Sequence, residues 1–485
     1  NRKGRFEMNK LNIYLFENLG CYYIFDVNRN RILPIDEITF KELKDKNLQD
    51  VEYQSTKIHS LMEHGYLLTN RPEKIYHPYT DMVENLLDSD LPRICLQVTQ
   101  GCNFRCDYCV YSDKYENRVH SSNVMKWETA KASLDFLIVH SSDTMSLDVG
   151  FYGGEPLLQY ALIKKCMRYI TKKIYGKPIS FTITTNGSLL TEEMVEEFLK
   201  YNTKLTISLD GPKQIQDKNR VYLDGSGTYD IVSENVKRLC KKYPELKKNL
   251  NYSMVLDPEN GFEIIENFVE MDDDLFKDTS ILTSIISQKY RKDDIQYSQK
   301  YYEEWEYSKF KYMLYLTGKF SEKYDSRIMR MIFLDMISFI KSTRNNYAPL
   351  SSVEHHSGPC IPGQLRLFVT TDGHFFPCEK VSENSEIMNI GNLKQGFDYA
   401  KVKNLLNVGT LTEDECKHCF AFRNCTLCAM VADTGKKENH NLSKELKKKA
   451  CKRIRYEFDD KLKDVCALKR CGFNLDKFQI NGGLK

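Results

Sequence analysis

Apolar and polar positions change their period along this chain. Residues 9 to about 75 open with "IYLFENLGCYYIFDVNRNRILPID", where apolar and polar residues alternate across turn signals, predicting two or three short antiparallel strands. Helical spacing follows in "ITFKELKDKN" and "YQSTKIHSLMEHGYLL". The segment therefore predicts a small sheet with helices, and the polar, proline-bearing link "TNRPEKIYHPYTDM" closes it.

From 93 to about 290 the pattern differs. β-rich runs alternate with helix-length amphipathic segments: "RICLQVTQ", the helix "WETAKASLDFLIVH", "SLDVGFYGGEP", the helix "YALIKKCMRYITKKI", "ISFTITTNG", the helix "TEEMVEEFLKYN" and "KLTISLDGP". Repeated strand-helix units predict a parallel sheet with right-handed crossovers, either a barrel or a doubly wound sheet. In a barrel, the loops "GCNFRC", "YGGEP", "TTNGS" and "SLDGP" share the carboxyl-end face, where ligands bind. Residues 291–355 read as connecting helices whose Tyr and Met stripe is packing. Beyond them come a hairpin signal, "LRLFVTTDGHFFPCE", and a lysine-rich end, with no internal repeat or low-complexity tract.

Length and charge narrow the class. A chain of 485 residues is too long for one simple core and predicts two to four domains. Lys+Arg 70 against Asp+Glu 67 leaves +3, spread without a basic block, so neither nucleic acid nor an anionic membrane is expected as partner. No apolar run reaches eighteen residues, and the polar opening "NRKGRFEMNK" lacks the apolar stretch of a secretion signal, so a cytoplasmic protein is expected. Met8 reads as the native start, with the seven residues before it foreign to the chain. Without a secretion signal, sixteen cysteines read as metal ligands or catalytic thiols rather than disulfides. Cys21, Cys95, Cys166 and Cys240 stand alone among apolar or helical residues, as small buried side chains do; the others bunch at 102–109 and 360–471.

Cys102, Cys106 and Cys109 form a Cys-x3-Cys-x2-Cys run directly after a strand. Three thiolates can hold three irons of a four-iron cluster and leave the fourth open to another ligand. The alternatives are a zinc site with a fourth ligand from afar, or a structural cluster with every corner filled. With Tyr108 just before the third cysteine, the run resembles that of the radical S-adenosylmethionine (radical SAM) superfamily. The resemblance implies a SAM-binding [4Fe-4S] cluster in a partial (β/α)6, TIM-like barrel over residues 90–290. It also implies that Gly153, Gly154 and Glu155 of "GGEP" meet the SAM amino group, that Ser208 faces the ribose, and that Arg220 of "DKNR" pairs with the SAM carboxylate. Asn186 of "TTNGS" is a further SAM contact or a turn residue.

The later cysteines have their own spacing. Cys360 is followed by twelve residues, Gly373, four residues and Cys378; then come Cys416-x2-Cys419-x5-Cys425-x2-Cys428 and Cys451. This resembles the SPASM extension of radical SAM enzymes, with one departure, two residues rather than three before Cys428. It implies two auxiliary [4Fe-4S] clusters in residues 356–471: one on Cys416, Cys419, Cys425 and Cys451, the other on Cys360, Cys378 and Cys428. The latter's fourth corner is filled by Cys466 or Cys471, or left open for a substrate thiolate. A zinc ribbon is the alternative for the C-x2-C pairs. Glu379 reads as a surface acid or, by the resemblance, as an acidic catalytic base.

Enzymes with this extension mostly modify ribosomally made peptides, and many carry an amino-terminal leader-recognition domain. Residues 9–80 are similar to such a winged-helix-like element. The resemblance thus implies an α/β radical SAM oxidoreductase that forms thioether cross-links in a precursor peptide bearing a leader and a Cys-containing core, as sactipeptide and ranthipeptide synthases do. Reducing electrons would come from a flavodoxin or ferredoxin. Formylglycine formation, as in anaerobic sulfatase maturases, and a non-enzymatic iron-sulfur electron carrier are the alternatives. The precursor, the acceptor residue, the carbon attacked and the oligomeric state are not legible.

Overall fold

The computed structural model describes residues 11–45, 56–438 and 440–477. The expected start at Met8 and parts of the first two predicted helices lie outside the described residues. Three antiparallel strands open the chain: β1 (Ile13–Asn18), β2 (Cys21–Asp26) and β3 (Arg31–Ile35). Between β1 and β2, Leu19 and Gly20 both have positive φ, as a two-residue type I′ hairpin requires. Helices Glu37–Asp45 and Thr56–Glu63 follow. The second was expected to run through Leu68. Instead Gly65, at φ +75, ends it: Gly65 N donates to Met62 O at 2.9 Å and Tyr66 N to Leu61 O at 3.0 Å, the two bonds of a Schellman stop.

Strand alternation gives this sheet two occupied faces. Ile24 packs with Leu43, Ile58 and Leu61 under the unit's own helices, whereas Phe16, Tyr23 and Phe25 belong to the main core. Tyr14 stacks on Phe420 at 3.9 Å, and Phe25 meets Phe458 edge-on at 5.2 Å. A short strand, β4 (Lys74–Ile75), then runs parallel to Val353–Glu354.

The body is a parallel sheet of β5 (Arg93–Thr99), β6 (Leu147–Gly153), β7 (Ile179–Thr185), β8 (Lys204–Ser208), β9 (Leu250–Leu256) and β10 (Ser280–Ile285). Each strand pairs in parallel with the next in chain order. Across these six strands the order never reverses. Burial on both faces explains the unbroken apolar run Ile94–Leu96. Helices Gln299–Leu316 and Arg327–Ser342 come next, their first turns capped by Ser298 and Ser326.

The chain then returns to the core. After β11 (Val353–Glu354), β12 (Leu367–Val369) pairs in parallel with β5, and the predicted hairpin closes as β13 (His374–Phe376), with Gly373 at φ +90 in its turn. Among the described residues β14 (Gly391–Asn392) and β15 (Gly396–Phe397) extend the sheet to ten strands. A 27-residue helix, Lys444–Arg470, capped by Ser443, runs past the amino-terminal sheet. Among the described residues no helix is long and apolar enough to cross a membrane.

Candidate functional site

β5 leads straight into the loop of Cys102, Cys106 and Cys109. Its shape is held from outside: Arg105 N donates to Val221 O at 2.7 Å and Asp107 N to Asn219 O at 2.9 Å, so segment 219–222 runs beside it. Each sulfur has a donor nearby. Phe104 N lies 3.3 Å from Cys102 Sγ, Tyr111 N 3.4 Å from Cys109 Sγ, and Arg220 Nη1 3.8 Å from Cys106 Sγ. The thiols also feel one another's charge, and burial pushes Cys102 and Cys106 up to about 12 and Cys109 in the same direction. A site this hostile to bare thiolates suits bound iron, whose charge deprotonates a coordinating thiol. Soft sulfur with N–H donors fits an iron-sulfur cluster. Among the described residues no three His, Cys, Asp or Glu side chains converge on a single ion; thiolates holding separate irons stand farther apart than four around one zinc at about 2.3 Å.

The other three loops close around this one. A Cβ on Gly153 would lie 2.1 Å from Thr99 O, and one on Gly154 2.1 Å from Gly101 O. The missing side chains thus admit the backbone that leads into Cys102, bonded by Gly154 N to Thr99 O at 3.0 Å and Glu155 N to Gly101 O at 2.9 Å. Glu155 is 1 % exposed and already has three donors: Leu157 N at 3.0 Å, Thr185 Oγ1 at 2.6 Å and Asn186 N at 2.7 Å. Burial nonetheless lifts it to about 7. Asn186 Nδ2 bonds Asn103 Oδ1 at 2.9 Å and stands 4.0 Å from Cys102 Sγ.

Asp210 organises the fourth loop. Its carboxylate takes Arg220 Nε at 2.9 Å, Val255 N at 3.0 Å and the Tyr108 hydroxyl, while the Arg220 guanidinium lies 5.4 Å over the Tyr108 ring. Ser208, half-buried, ends β8 two residues earlier. Asp210 was missed as a functional residue, although it stands inside "SLDGP"; an acid at the carboxyl end of a parallel strand was the available signal.

The carboxyl-terminal cysteines fall into two groups. Burial and the charge of Cys428 push the Cys360 thiol up; burial, Glu379 and the charges of Cys428 and Cys360 push Cys378 up to about 11. In the second group burial pushes Cys425 up to about 12, helped by Cys419, Cys416 and Cys451. Glu379 Oε1 accepts from Arg366 Nη1 at 2.6 Å, and its Oε2 is buried without a partner. Cys466 feels the charge of Cys21 of β2 and lies fifteen residues beyond Cys451 on one helix, about 22 Å away. Cys471 caps that helix's far end. Lys447, fully buried beside Cys416, is a second residue the sequence reading missed, hidden in a run of surface lysines.

Residues 96–271 match the family model of the radical SAM superfamily, so the chain carries a radical SAM domain, which supports an enzyme and implies SAM and a [4Fe-4S] cluster. Among curated proteins, a cysteine-type anaerobic sulfatase-maturating enzyme of Clostridium perfringens is 26 % identical over 67 % of this chain and 85 % of its own length. A radical SAM cyclopropyl synthase of Paramaledivibacter caminithermalis is 26 % identical over 47 % of each chain. The chain spans about half the length of two of the curated relatives it matches. Native anSMEcpe, solved with bound AdoMet, matches in fold with a TM-score of 0.56 at 21 % identity, over 80 % of this chain and all of that one; it has also been solved with a Kp18Cys peptide. The mixed α/β fold is of the radical SAM type seen there.

Proposed function

We propose that this chain is a radical SAM maturase that closes thioether bonds between a cysteine sulfur and a carbon of an acceptor residue in a ribosomally made peptide. With a four-iron cluster on Cys102, Cys106 and Cys109 and SAM on its open iron, such a site supplies a 5′-deoxyadenosyl radical that takes a hydrogen atom. Arg220 pairs with the SAM carboxylate, held in place by Asp210 and stacked on Tyr108. Gly153 to Glu155 present backbone to the amino group, Asn186 lines the pocket and Ser208 faces the ribose.

The observation that carries the thioether reading is the group of Cys360, Cys378 and Cys428. Both Cys360 and Cys378 feel the charges of Cys428 and Glu379, and Cys378 also feels that of Cys360. A cluster held there keeps a corner for a substrate thiolate, which soft iron binds and deprotonates. Glu379 Oε2, buried and without a partner, has the free lone pair that a base accepting a substrate proton needs. Cys416, Cys419, Cys425 and Cys451 hold the second auxiliary cluster, through which the surplus electron leaves. The leader adds as a strand to an edge of the β1-β2-β3 sheet, whose two faces are already covered.

Formylglycine formation is the second reading, favoured by the alignment over 85 % of a cysteine-type anaerobic sulfatase-maturating enzyme. Anaerobic incubation with SAM, reductant and a candidate precursor separates them. Loss of two hydrogens per bond, read by mass spectrometry, is expected; loss of sulfur from cysteine would replace the thioether reading with formylglycine chemistry.

A further inference from the structure

Lys447 sits on the final helix one turn before Cys451 and is fully buried. Its neighbours Lys444, Lys448, Lys449 and Lys452 all face solvent. The Lys447 ammonium donates to Thr412 Oγ1 at 2.5 Å and reaches Cys416 Sγ at 3.6 Å, and its charge acts on Cys451. Thr412 Oγ1 is itself 3.4 Å from Cys416 Sγ, so hydroxyl, ammonium and sulfur form one contact set.

Among the described residues no carboxylate pairs with Lys447. The other ionisable side chains beside it are His355 and His356, whose charged forms it opposes. His355 is held neutral by its bonds: Gly409 N donates to Nε2 at 2.9 Å, which leaves Nδ1–H to donate to His356 O at 2.8 Å. A buried ammonium without an anion is among the costliest arrangements a fold can contain. The missing negative charge is the one that Cys416, Cys419, Cys425 and Cys451 carry as thiolates on a metal centre.

We propose that Lys447 is the fixed countercharge of that centre and a positioning residue that raises its reduction potential. The proposal rests on the reading that these four cysteines hold an iron-sulfur cluster. One-electron reduction adds a negative charge to a desolvated site. A cation within hydrogen-bond reach of a ligand sulfur stabilises the reduced form more than the oxidised one, the standard effect of outer-shell charge on such centres. The centre is thereby set to receive an electron rather than to donate one.

The test is an EPR-monitored redox titration of full-length, anaerobically reconstituted protein. Lys447→Gln is expected to lower the midpoint of one centre by at least a tenfold change in its reduction equilibrium, 59 mV for one electron, and to leave the others in place. Lys447→Arg, which keeps the charge, is expected to stay near wild type. A Lys447→Gln protein with full iron and unshifted midpoints overturns the proposal. If that variant loses the centre, Thr412→Val decides: removing the hydroxyl that steers the ammonium is expected to lower the same midpoint, and an unchanged midpoint overturns the proposal. Failure of the underlying cluster reading looks different. Iron content and EPR signals of the wild-type protein would then be unchanged by Cys419→Ala, and the proposal would fall with them.

Discussion

Single residues fix the chemistry at the strand ends, and Asp210 is the one on which most depends. It is 1 % exposed and binds Arg220, Tyr108 and the β9 backbone together. Asp210→Asn leaves the Arg220 guanidinium buried with its charge uncompensated, a break that costs about 3–5 kcal/mol. A lower thermal midpoint and weaker SAM binding by calorimetry are the expected outcomes. Gly154→Ala acts through backbone: its Cβ would stand 2.1 Å from Gly101 O, so the loop bearing Cys102 must move. The variant is expected to lose the iron of one centre and keep that of the others, as iron analysis and EPR would show. His355 carries a pH signature. Burial lowers its pKa from 6.5 to about 4, so the folded state binds fewer protons than the unfolded one between those values. Its contribution is therefore complete above pH 6.5 and falls as pH drops toward 4, about 2 kcal/mol being lost by pH 5. Urea midpoints of wild type are expected to fall more between pH 7 and 5 than those of His355→Gln. The glycines and the arginine of this site were legible because their motifs are local. Asp210 and Lys447 were not, since their meaning comes from partners far away in sequence.

At the scale of elements, legibility followed the range of the interaction. Strands β5 to β8 and the helices between them were readable from period alone, because each buries a face fixed by its own spacing. The pairing of β12 with β5, with Phe368 opposite Cys95, joins residues more than 270 positions apart, and no local pattern encodes it. The docking of the amino-terminal sheet was equally hidden. Its two-faced alternation was visible, but the element that covers the second face, the helix Lys444–Arg470, lies at the other end of the chain. The same distance hides the surroundings of Cys466, which feels the charge of Cys21 of β2. Tyr14 tests the contact: besides stacking on Phe420, its hydroxyl donates to Asp459 at 2.9 Å. For a half-buried ring, Tyr14→Ala is expected to cost about 2 kcal/mol. Hydrogen exchange should quicken in residues 13–26 while β5 to β10 stay protected.

The whole molecule is braced where the two ends of the site meet. Arg118, 3 % exposed, lies on the segment following Cys109 and pairs with Glu383 at 2.5 Å. It also donates to the carbonyls of Glu379 at 2.7 Å and Val381 at 3.2 Å, on the segment following Cys378. Its guanidinium lies 5.2 Å over Phe368 of β12, and Glu383 takes Gln97 Nε2 of β5 at 2.6 Å. One ion pair thus fastens the loop of the first cysteine group to that of the second, at the seam where β5 and β12 extend one sheet. If this brace sets the spacing between the two groups, Arg118 and Glu383 must act as a unit. Arg118→Met strands a buried carboxylate and Glu383→Gln a buried guanidinium, so each is expected to cost about 3–5 kcal/mol. The double variant strands neither, and should cost less than the sum by about 0.5–3 kcal/mol. Denaturant unfolding of the four proteins measures that coupling. Strict additivity would mean that the segments are held by backbone and sheet alone, and that Arg118 does not set the distance between them.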